Sequence, residues 1–557
     1  MPRITTLFAI SAVCVTAPAA GARPVSAQDR PEGFAIENET IVSRCARCHT
    51  LDDERRMTRI SYLRKTPEGW QTSIRRMMAL HGVRLDTDEA IEIVRYLSDE
   101  QGLAPEELAP GRFEVERRMI DHDYGGPSDV EFTCIQCHSM GRVITQRRTE
   151  EEWGLLLATH RALYPLVDGQ AFREDPDEDQ PMDVAVEHLS EVFPLETPEW
   201  SAWAATQRSP RLAGTWAISG HEPGKGAIYG TMTIEADPDD PDAFTTTTSY
   251  AFAETGERVT SAGASIVYTG YQWRGRSSPG TESEMREVMM VERDQRTMSG
   301  RWFRGAYDEL GPDVTLTRLG AEPVLAGIHP RVLARGASAD VTLYGGNLSS
   351  IDFGSLDFGE GVTVERADAG AESVALRLRI AEDAAPGARD LVGIGTALEK
   401  AIVIHDGVDR ITVTPSTGMA RVGGGNFPKG YQVFDAIGWD DGPDGEPETD
   451  DDLELGRVDV TWSVEEYAAT FSDDDARFVG SVGADGTFTP ALDGPNPERS
   501  GNRNNVGDIW VVATHTPAGG EELRARAQLV VTVPLYLRWE PWRVTEEQLP
   551  ATTTGAR

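Results

Sequence analysis

The chain has 557 residues, with 53 Lys plus Arg against 91 Asp plus Glu and a formal net charge of −38. That length suggests roughly three to five domains, and 39% hydrophobic with 7% aromatic residues is enough to build several cores rather than a disordered chain. The acidic excess excludes general nucleic-acid binding, which needs a basic surface to neutralise phosphates, and argues against docking on anionic lipid.

Residues 1–27 read as a cleaved signal peptide. Arg3 supplies the positive start, Leu7 to Ala17 the short apolar run, and Val25-Ser26-Ala27 a small-residue cleavage site before Gln28. The run is too short to span a bilayer, and no later segment approaches eighteen uncharged apolar residues. Cys14 lies within the signal and lacks the context of a lipoprotein anchor, so cleavage leaves four of the five cysteines.

Those four form Cys45-Ala46-Arg47-Cys48-His49 and Cys134-Ile135-Gln136-Cys137-His138. Both match C-x-x-C-H, the pattern of covalent c-type haem attachment. Two thiols one helical turn apart reach the two vinyl groups of a haem, and the next residue places its imidazole on the iron. Two C-x-x-C pairs also suffice for a four-ligand zinc site; the His after each pair favours haem.

The region is duplicated. Arg64-Lys65-Thr66-Pro67-Glu68-Gly69-Trp70 follows the first motif and Arg147-Arg148-Thr149-Glu150-Glu151-Glu152-Trp153 the second. Thr66 and Thr149 are expected helix N-caps with acidic first turns beyond them. Aligning the tryptophans sets Met77 against His160, each seven positions on and therefore on the Trp face. Met and His are common axial ligands of electron-transfer haems, so the expected pairs are His49/Met77 and His138/His160. Met78 and His81 are rivals at the first haem, and His122 and His188 are fallbacks at the second. The helices at Thr87–Leu97 and Met182–Leu189 close the two units. An all-α dihaem cytochrome c domain over residues 28–205 is expected.

Short alternating runs then replace the helical period. Leu212-Ala213-Gly214-Thr215-Trp216 opens a strand-rich unit, expected to be an antiparallel β-barrel over 206–320. Two immunoglobulin-like sandwiches are expected over 321–409 and 410–545, followed by a tail at 546–557. The last unit carries an acidic stretch from Asp440 to Glu454 that no basic residue interrupts. Calcium is conceivable there, but the spacing matches no EF-hand, and a solvated loop or partner contact is the stronger reading. His221, His329, His405 and His515 are scattered singly and read as ordinary histidines. No nucleophile elbow, phosphate-binding glycine loop or His-Glu-x-x-His occurs in the β region.

With CARCH and CIQCH, the repeat RKTPEGW/RRTEEEW, the run from Glu152-Trp153 to His160 with Tyr164-Pro165, and LAGTW opening three cysteine-free β units, the chain resembles the alpha subunit of quinohaemoprotein amine dehydrogenase. The resemblance covers essentially the full length. It implies a periplasmic heterotrimer in which this chain holds two covalent haems c, one His/Met-type and one bis-His. It implies a β-propeller partner, and a small partner carrying a quinone made from its own Trp and Cys. That quinone oxidises primary amines to aldehyde and ammonia, and electrons leave through the haems to a small cytochrome c or a blue copper protein. No catalytic residue is then expected in this chain, since its four mature cysteines are committed to haem. The competing readings are a self-contained dihaem cytochrome c or peroxidase with β accessory domains, and an adhesive immunoglobulin-type surface protein.

Overall fold

The computed structural model describes residues 33–111, 124–135, 138–164, 166–169, 179–278, 284–304, 310–351, 353–370, 372–393, 397–424, 428–467, 474–517 and 520–533. The expected signal peptide with Cys14, the tail, His122 and Cys137 lie outside the described residues. Among the described residues no helix is long and apolar enough to cross a membrane.

The N-terminal region runs α1 (Glu39–Cys45), β1 (Leu63–Lys65), α2 (Pro67–His81), α3 (Thr87–Glu100), α4 (Pro105–Leu108), α5 (Ser128–Ile135), α6 (Gly141–Ile144), β2 (Gln146–Arg148), α7 (Glu150–Leu163), α8 (Pro181–Val192) and α9 (Pro198–Ala204). The local chemistry sets the boundaries. Thr66 Oγ1 accepts from Gly69 N at the start of α2, and Thr149 Oγ1 accepts from Glu152 N at the start of α7. Gly82, at φ 66°, ends α2 in the left-handed conformation, which a side chain disfavours.

The expectation of an all-α cytochrome domain is corrected here. The basic segments before α2 and α7 are not helical: they pair as an antiparallel ladder, with Leu63 opposite Arg148, Arg64 opposite Arg147 and Lys65 opposite Gln146. The segments carry no strand-like apolar alternation, and burial drives the pairing. Arg64 is 0% exposed, Arg147 and Glu107 6% each. Glu107 on α4 takes Arg64 bidentately at 2.7 and 2.8 Å and lies 3.1 Å from Arg147 Nε. A single carboxylate thus neutralises the matching arginine of both repeats.

The ladder relates the two repeats by a local two-fold. Trp70 Nε1 donates to Gln101 O and Trp153 Nε1 to Phe193 O, both at 3.2 Å. Lys65 lies over the Trp70 ring and Arg148 over the Trp153 ring, both at 5.5 Å. Each repeat buries its own core. Ile36, Ile41, Trp70, Ile93 and Leu97 gather with Cys45 in the first. Val130, Met140, Trp153, Ala185 and Leu189 gather with Cys134 in the second.

Next comes a barrel: β3 (Gly214–Glu222), β4 (Gly226–Ala236), β5 (Ala243–Phe252), β6 (Arg258–Tyr268), β7 (Gln272–Ser278), β8 (Met285–Val291), β9 (Thr297–Phe303) and β10 (Asp313–Arg318). Each strand pairs with the next, and β10 closes on β3, so no edge is left unpaired. Inward alternation fills the interior with Trp216, Phe244, Trp273, Trp302 and Leu316. The barrel expectation is met. The turn between β6 and β7 seats the first repeat: Thr269 Oγ1 donates to Ser98 O at 3.0 Å and Tyr271 OH to Leu103 O at 3.0 Å. Gly102 permits this approach, since a Cβ there would stand 2.9 Å from Thr269 Oγ1.

Two strand units follow. The first comprises β11 (Val324–His329), β12 (Val332–Ala334), β13 (Ser338–Gly346), β14 (Val362–Ala369), β15 (Ser373–Ile380), β16 (Gly387–Val392) and β17 (Ala397–His405). They form sheets in the order β11-β13-β15-β14 and β12-β17-β16 around one core that includes Leu343, Leu378 and Ile404. The second comprises β18 (Arg410–Thr414), β19 (Thr417–Arg421), β20 (Gln432–Val433), β21 (Asp435–Asp440), β22 (Leu453–Arg457), β23 (Thr461–Glu466), β24 (Gly480–Val482), β25 (Thr487–Pro490), β26 (Gly507–His515) and β27 (Leu523–Thr532). Its sheets run β18-β21-β22, β19-β27-β26-β23 and β20-β25-β24.

The acidic run joins β21 to β22, and its ends are folded rather than solvated. Asp440 and Asp441 are buried, and Arg410 binds both Asp441 and Asp452, while residues 443–450 are exposed. Among the described residues no group of three or more His, Cys, Asp and Glu side chains is arranged to hold a metal ion. His221 on the barrel joins the last unit through a 2.8 Å contact with buried Asp435, which Arg457 also pairs at 2.9 Å.

Candidate haem sites

Both attachment motifs begin at a helix end. α1 finishes at Cys45, and the turn continues through Cys48 N to Cys45 O at 3.1 Å and His49 N to Cys45 O at 3.0 Å. Cys48 therefore stands one turn from Cys45, as two thioether bonds to one porphyrin require. Cys134 lies in the last turn of α5, His138 follows three residues after its end, and Cys137 falls outside the described residues. Burial and the nearby Cys48 push the Cys45 thiol up, while burial and Glu131 push Cys134 up to about 12. Both thiols are half-buried, and their upward shifts run opposite to the lowering that marks the reactive thiol of a redox pair.

The second site is the better defined. A cavity of about 440 Å³ is lined by Cys134 and His138 on one side, by Trp153, Leu157 and His160 of α7 on another, and by Ala185 and Leu189 of α8. The N-terminal half of α2, from the other repeat, closes it with Gly69, Thr72 and Ser73. His138 and His160 face each other with ring centroids 6.4 Å apart. The two imidazoles border one cavity at a separation that leaves room for a metal ion to be held by both.

Their tautomers fit as well. His138 Nδ1 lies 2.9 Å from Ser139 O, and His160 Nδ1 2.9 Å from Leu156 O. A ring that donates from Nδ1 to a carbonyl keeps its Nε2 lone pair for the metal. Burial lowers the His160 pKa; the Leu156 carbonyl opposes this and the cations Arg148, Arg76 and Arg142 act with it, a balance in the direction of the neutral ring that ligation needs. The residues present therefore fit a covalently held, doubly imidazole-ligated haem. His188, on α8, does not line this cavity; its ring meets Tyr124 edge-on at 6.3 Å.

The first site shares the proximal arrangement. His49 Nδ1 lies 2.8 Å from Thr58 O, again directing Nε2 outward. Trp70 and Ile74 pack in the cluster that contains Cys45, which turns the 70-74-77-81 stripe of α2 toward the motif. Met77 and Met78 are half-buried in the last turns of α2, and His81 is exposed at its end. The structure thus brings His138 and His160 to one cavity, while Met77, Met78 and His81 all stay open as partners for His49.

Reading the sequence missed Glu107. It sits 43 residues from Arg64 and carries no motif, and only the duplication of the arginines hints that something must neutralise both. The structure further shows Arg59 in an ion pair with buried Glu152 at 2.9 Å, a bond between the two repeats.

Comparison with family models places almost the whole chain. Residues 35–200 match "Quinohemoprotein amine dehydrogenase A, alpha subunit, haem binding". Residues 209–319, 322–406 and 411–543 match domains II, III and IV of the same alpha subunit. No curated protein matched the chain. Among solved structures, a redesigned β-barrel bound to DFHBI is 14% identical over 19% of this chain and 94% of that one, at a TM-score of 0.17. Mouse cadherin-23 is 14% identical over 47% of this chain and 82% of that one, at a TM-score of 0.13. At such TM-scores neither likeness bears on fold or function. The four models together, on a region whose first part binds haem, show that this chain belongs to the alpha-subunit family of quinohaemoprotein amine dehydrogenase, an oxidoreductase of several subunits.

Proposed function

We propose that the chain is the dihaem electron-transfer subunit of a periplasmic amine dehydrogenase. In this reading a Trp–Cys-derived quinone on a small partner oxidises a primary amine to aldehyde and ammonia, and a β-propeller subunit completes the heterotrimer. A small cytochrome c or blue copper protein takes the electrons away. The observation that carries the reading is the facing of His138 and His160 across a cavity that also holds Cys134.

Haem, when bound, supplies one-electron exchange between ferric and ferrous iron. The chain supplies the rest. Cys45, Cys48, Cys134 and Cys137 would tether the porphyrins, and His49, Met77, His138 and His160 would ligate the irons. The carbonyls of Thr58, Ser139 and Leu156 hold the three imidazoles in their ligating tautomer. Leu157, Ala185 and Leu189 give the second site part of its apolar lining. A peroxidase needs an open or displaceable axial position, whereas the second site offers two imidazoles.

Purification of the native protein, with haem counting and staining for quinone redox cycling, tests the reading. Two covalent haems on this chain and a co-purifying small quinone-positive chain are expected. A lone haem protein that reduces peroxide would overturn it. At the first site, Met77→Ala is expected to remove the near-infrared iron–thioether band and to lower one midpoint potential, because thioether ligation raises the potential. If Met78→Ala or His81→Ala does so while Met77→Ala does not, the distal ligand is that residue instead.

A further inference from the structure

The first proximal imidazole is held at a strained corner of the chain. His49 Nδ1 lies 2.8 Å from the carbonyl of Thr58, nine residues on. Thr50 pins the near side of Thr58: Thr58 N donates to Thr50 O at 3.0 Å, and Thr50 N donates to Thr58 Oγ1 at 2.9 Å. The carbonyl itself shares a planar peptide with Arg59 N, so the φ of Arg59 sets where it points. Arg59 stands at φ 69°, in the left-handed region that a side chain disfavours. An ordinary negative φ there would swing the peptide and turn the carbonyl away from His49. The second motif has no such corner, because His138 Nδ1 meets the carbonyl of the adjacent Ser139.

What holds the corner comes from the other repeat. Arg59 Nε lies 2.9 Å from Glu152 Oε2, whose side chain is 5% exposed. Glu152 is itself fixed in the first turn of α7, where its N–H donates to Thr149 Oγ1, and Arg148 Nη1 stands 3.9 Å from the same carboxylate oxygen. A pair this well sheltered from water is screened less than a surface ion pair. Alignment on Trp70 and Trp153 sets Gly69 where α7 has Glu152, so the first repeat returns no matching carboxylate. The brace runs one way, from the second repeat to the loop behind His49.

We propose that Arg59 and Glu152 are positioning residues for the first haem: their ion pair holds Arg59 in its left-handed conformation and so keeps the Thr58 carbonyl on Nδ1 of His49. The proposal rests on the reading of His49 as a haem ligand. A hydrogen bond donated from Nδ1 raises the basicity of a ligating imidazole, and a more basic ligand favours ferric over ferrous iron. The brace therefore keeps the potential of the first haem lower than it would be with a slack imidazole. It acts through the backbone of Thr58 and Arg59, and it exists only when the two repeats are joined.

The test uses the intact holoprotein, with haem content measured first. Arg59→Ala and Arg59→Gly remove the same charge from the same partly exposed side chain, so direct electrostatic effects on either haem cancel between them. Glycine adopts the left-handed conformation without a steric penalty, and Arg59→Gly is expected to keep the Thr58 carbonyl in place. In Arg59→Ala the corner relaxes. The hyperfine-shifted NMR signal of the His49 Nδ1 proton should then exchange faster with solvent, and the midpoint of that haem should lie above its value in Arg59→Gly. The midpoint of the haem at His138 should be the same in both variants. Glu152→Gln, which removes the carboxylate and keeps Arg59, should accelerate the same exchange. Loss of the first haem in Arg59→Ala but not in Arg59→Gly would also support the proposal. Equal exchange and equal midpoints in the two Arg59 variants would overturn it. A wild-type protein in which His49 ligates no haem iron would instead overturn the ligand reading, and the proposal with it.

Discussion

Replacement of His160 by Ala is expected to abolish the low-spin spectrum of one haem and leave the other intact. The ring stands opposite His138, with its Nδ1 fixed by Leu156 O, and among the described residues no other histidine lines that cavity. Loss of the distal imidazole opens the sixth position, so the iron becomes high-spin and binds carbon monoxide readily in its ferrous state. Electron flow from amine to external acceptor should fall by at least the roughly 10–100-fold that loss of an outer-shell partner costs in other metal sites. Added imidazole should restore the low-spin spectrum. Unchanged absorption and carbon monoxide reactivity in His160→Ala would show that this residue is not a ligand.

The second large effect is expected at Glu107. Its carboxylate is the shared partner of Arg64 and Arg147, and all three are buried. Removing one member of a buried charge cluster leaves the others uncompensated and costs about 3–5 kcal/mol. Glu107→Gln should therefore lower the melting temperature of the haem region by about 2–4 °C per kcal/mol lost, as for other domains of similar size. Thermal unfolding followed through the haem absorption measures it, and a variant that melts with the wild type would refute the account.

The pH dependence has a definite sign. Burial alone would push the Glu107 carboxyl up, but hydrogen bonds and charge from Arg64, with Arg147 behind, bring it below its ordinary value. A carboxylate held low when folded stabilises above the unfolded value of about 4.3 and loses that contribution as pH falls through the folded value. Wild-type stability should thus decline in acid below the ordinary carboxylate range, while the contribution is absent at every pH in Glu107→Gln.

The candidate haem residues of this protein are legible because the C-x-x-C-H pattern has fixed local spacing. Two cysteines, two intervening residues and a histidine declare themselves without any tertiary information. The duplication then extends the reading to His160 through helical geometry, and Thr66 and Thr149 mark their helix starts. The hairpin order of the barrel is legible for a similar reason, since each strand pairs with its sequence neighbour. The ladder of β1 and β2 is not legible. Each strand has three residues and is rich in arginine, and its pairing depends on Glu107, far away in sequence. The same limit hides the Arg59–Glu152 bond between the repeats and the His221–Asp435 contact between distant strand units. At the first haem, a helix stripe offers Met77, Met78 and His81 within five residues, and period alone does not choose among them.

Two differently ligated haems within one duplicated domain are the central expectation. Near-infrared magnetic circular dichroism of the oxidised, intact protein tests this most directly, because ferric low-spin haems show a charge-transfer band whose position reports the axial pair. One bis-imidazole band and one imidazole–thioether band of equal intensity are predicted. Two identical bands, or a high-spin haem in the native protein, would contradict the account.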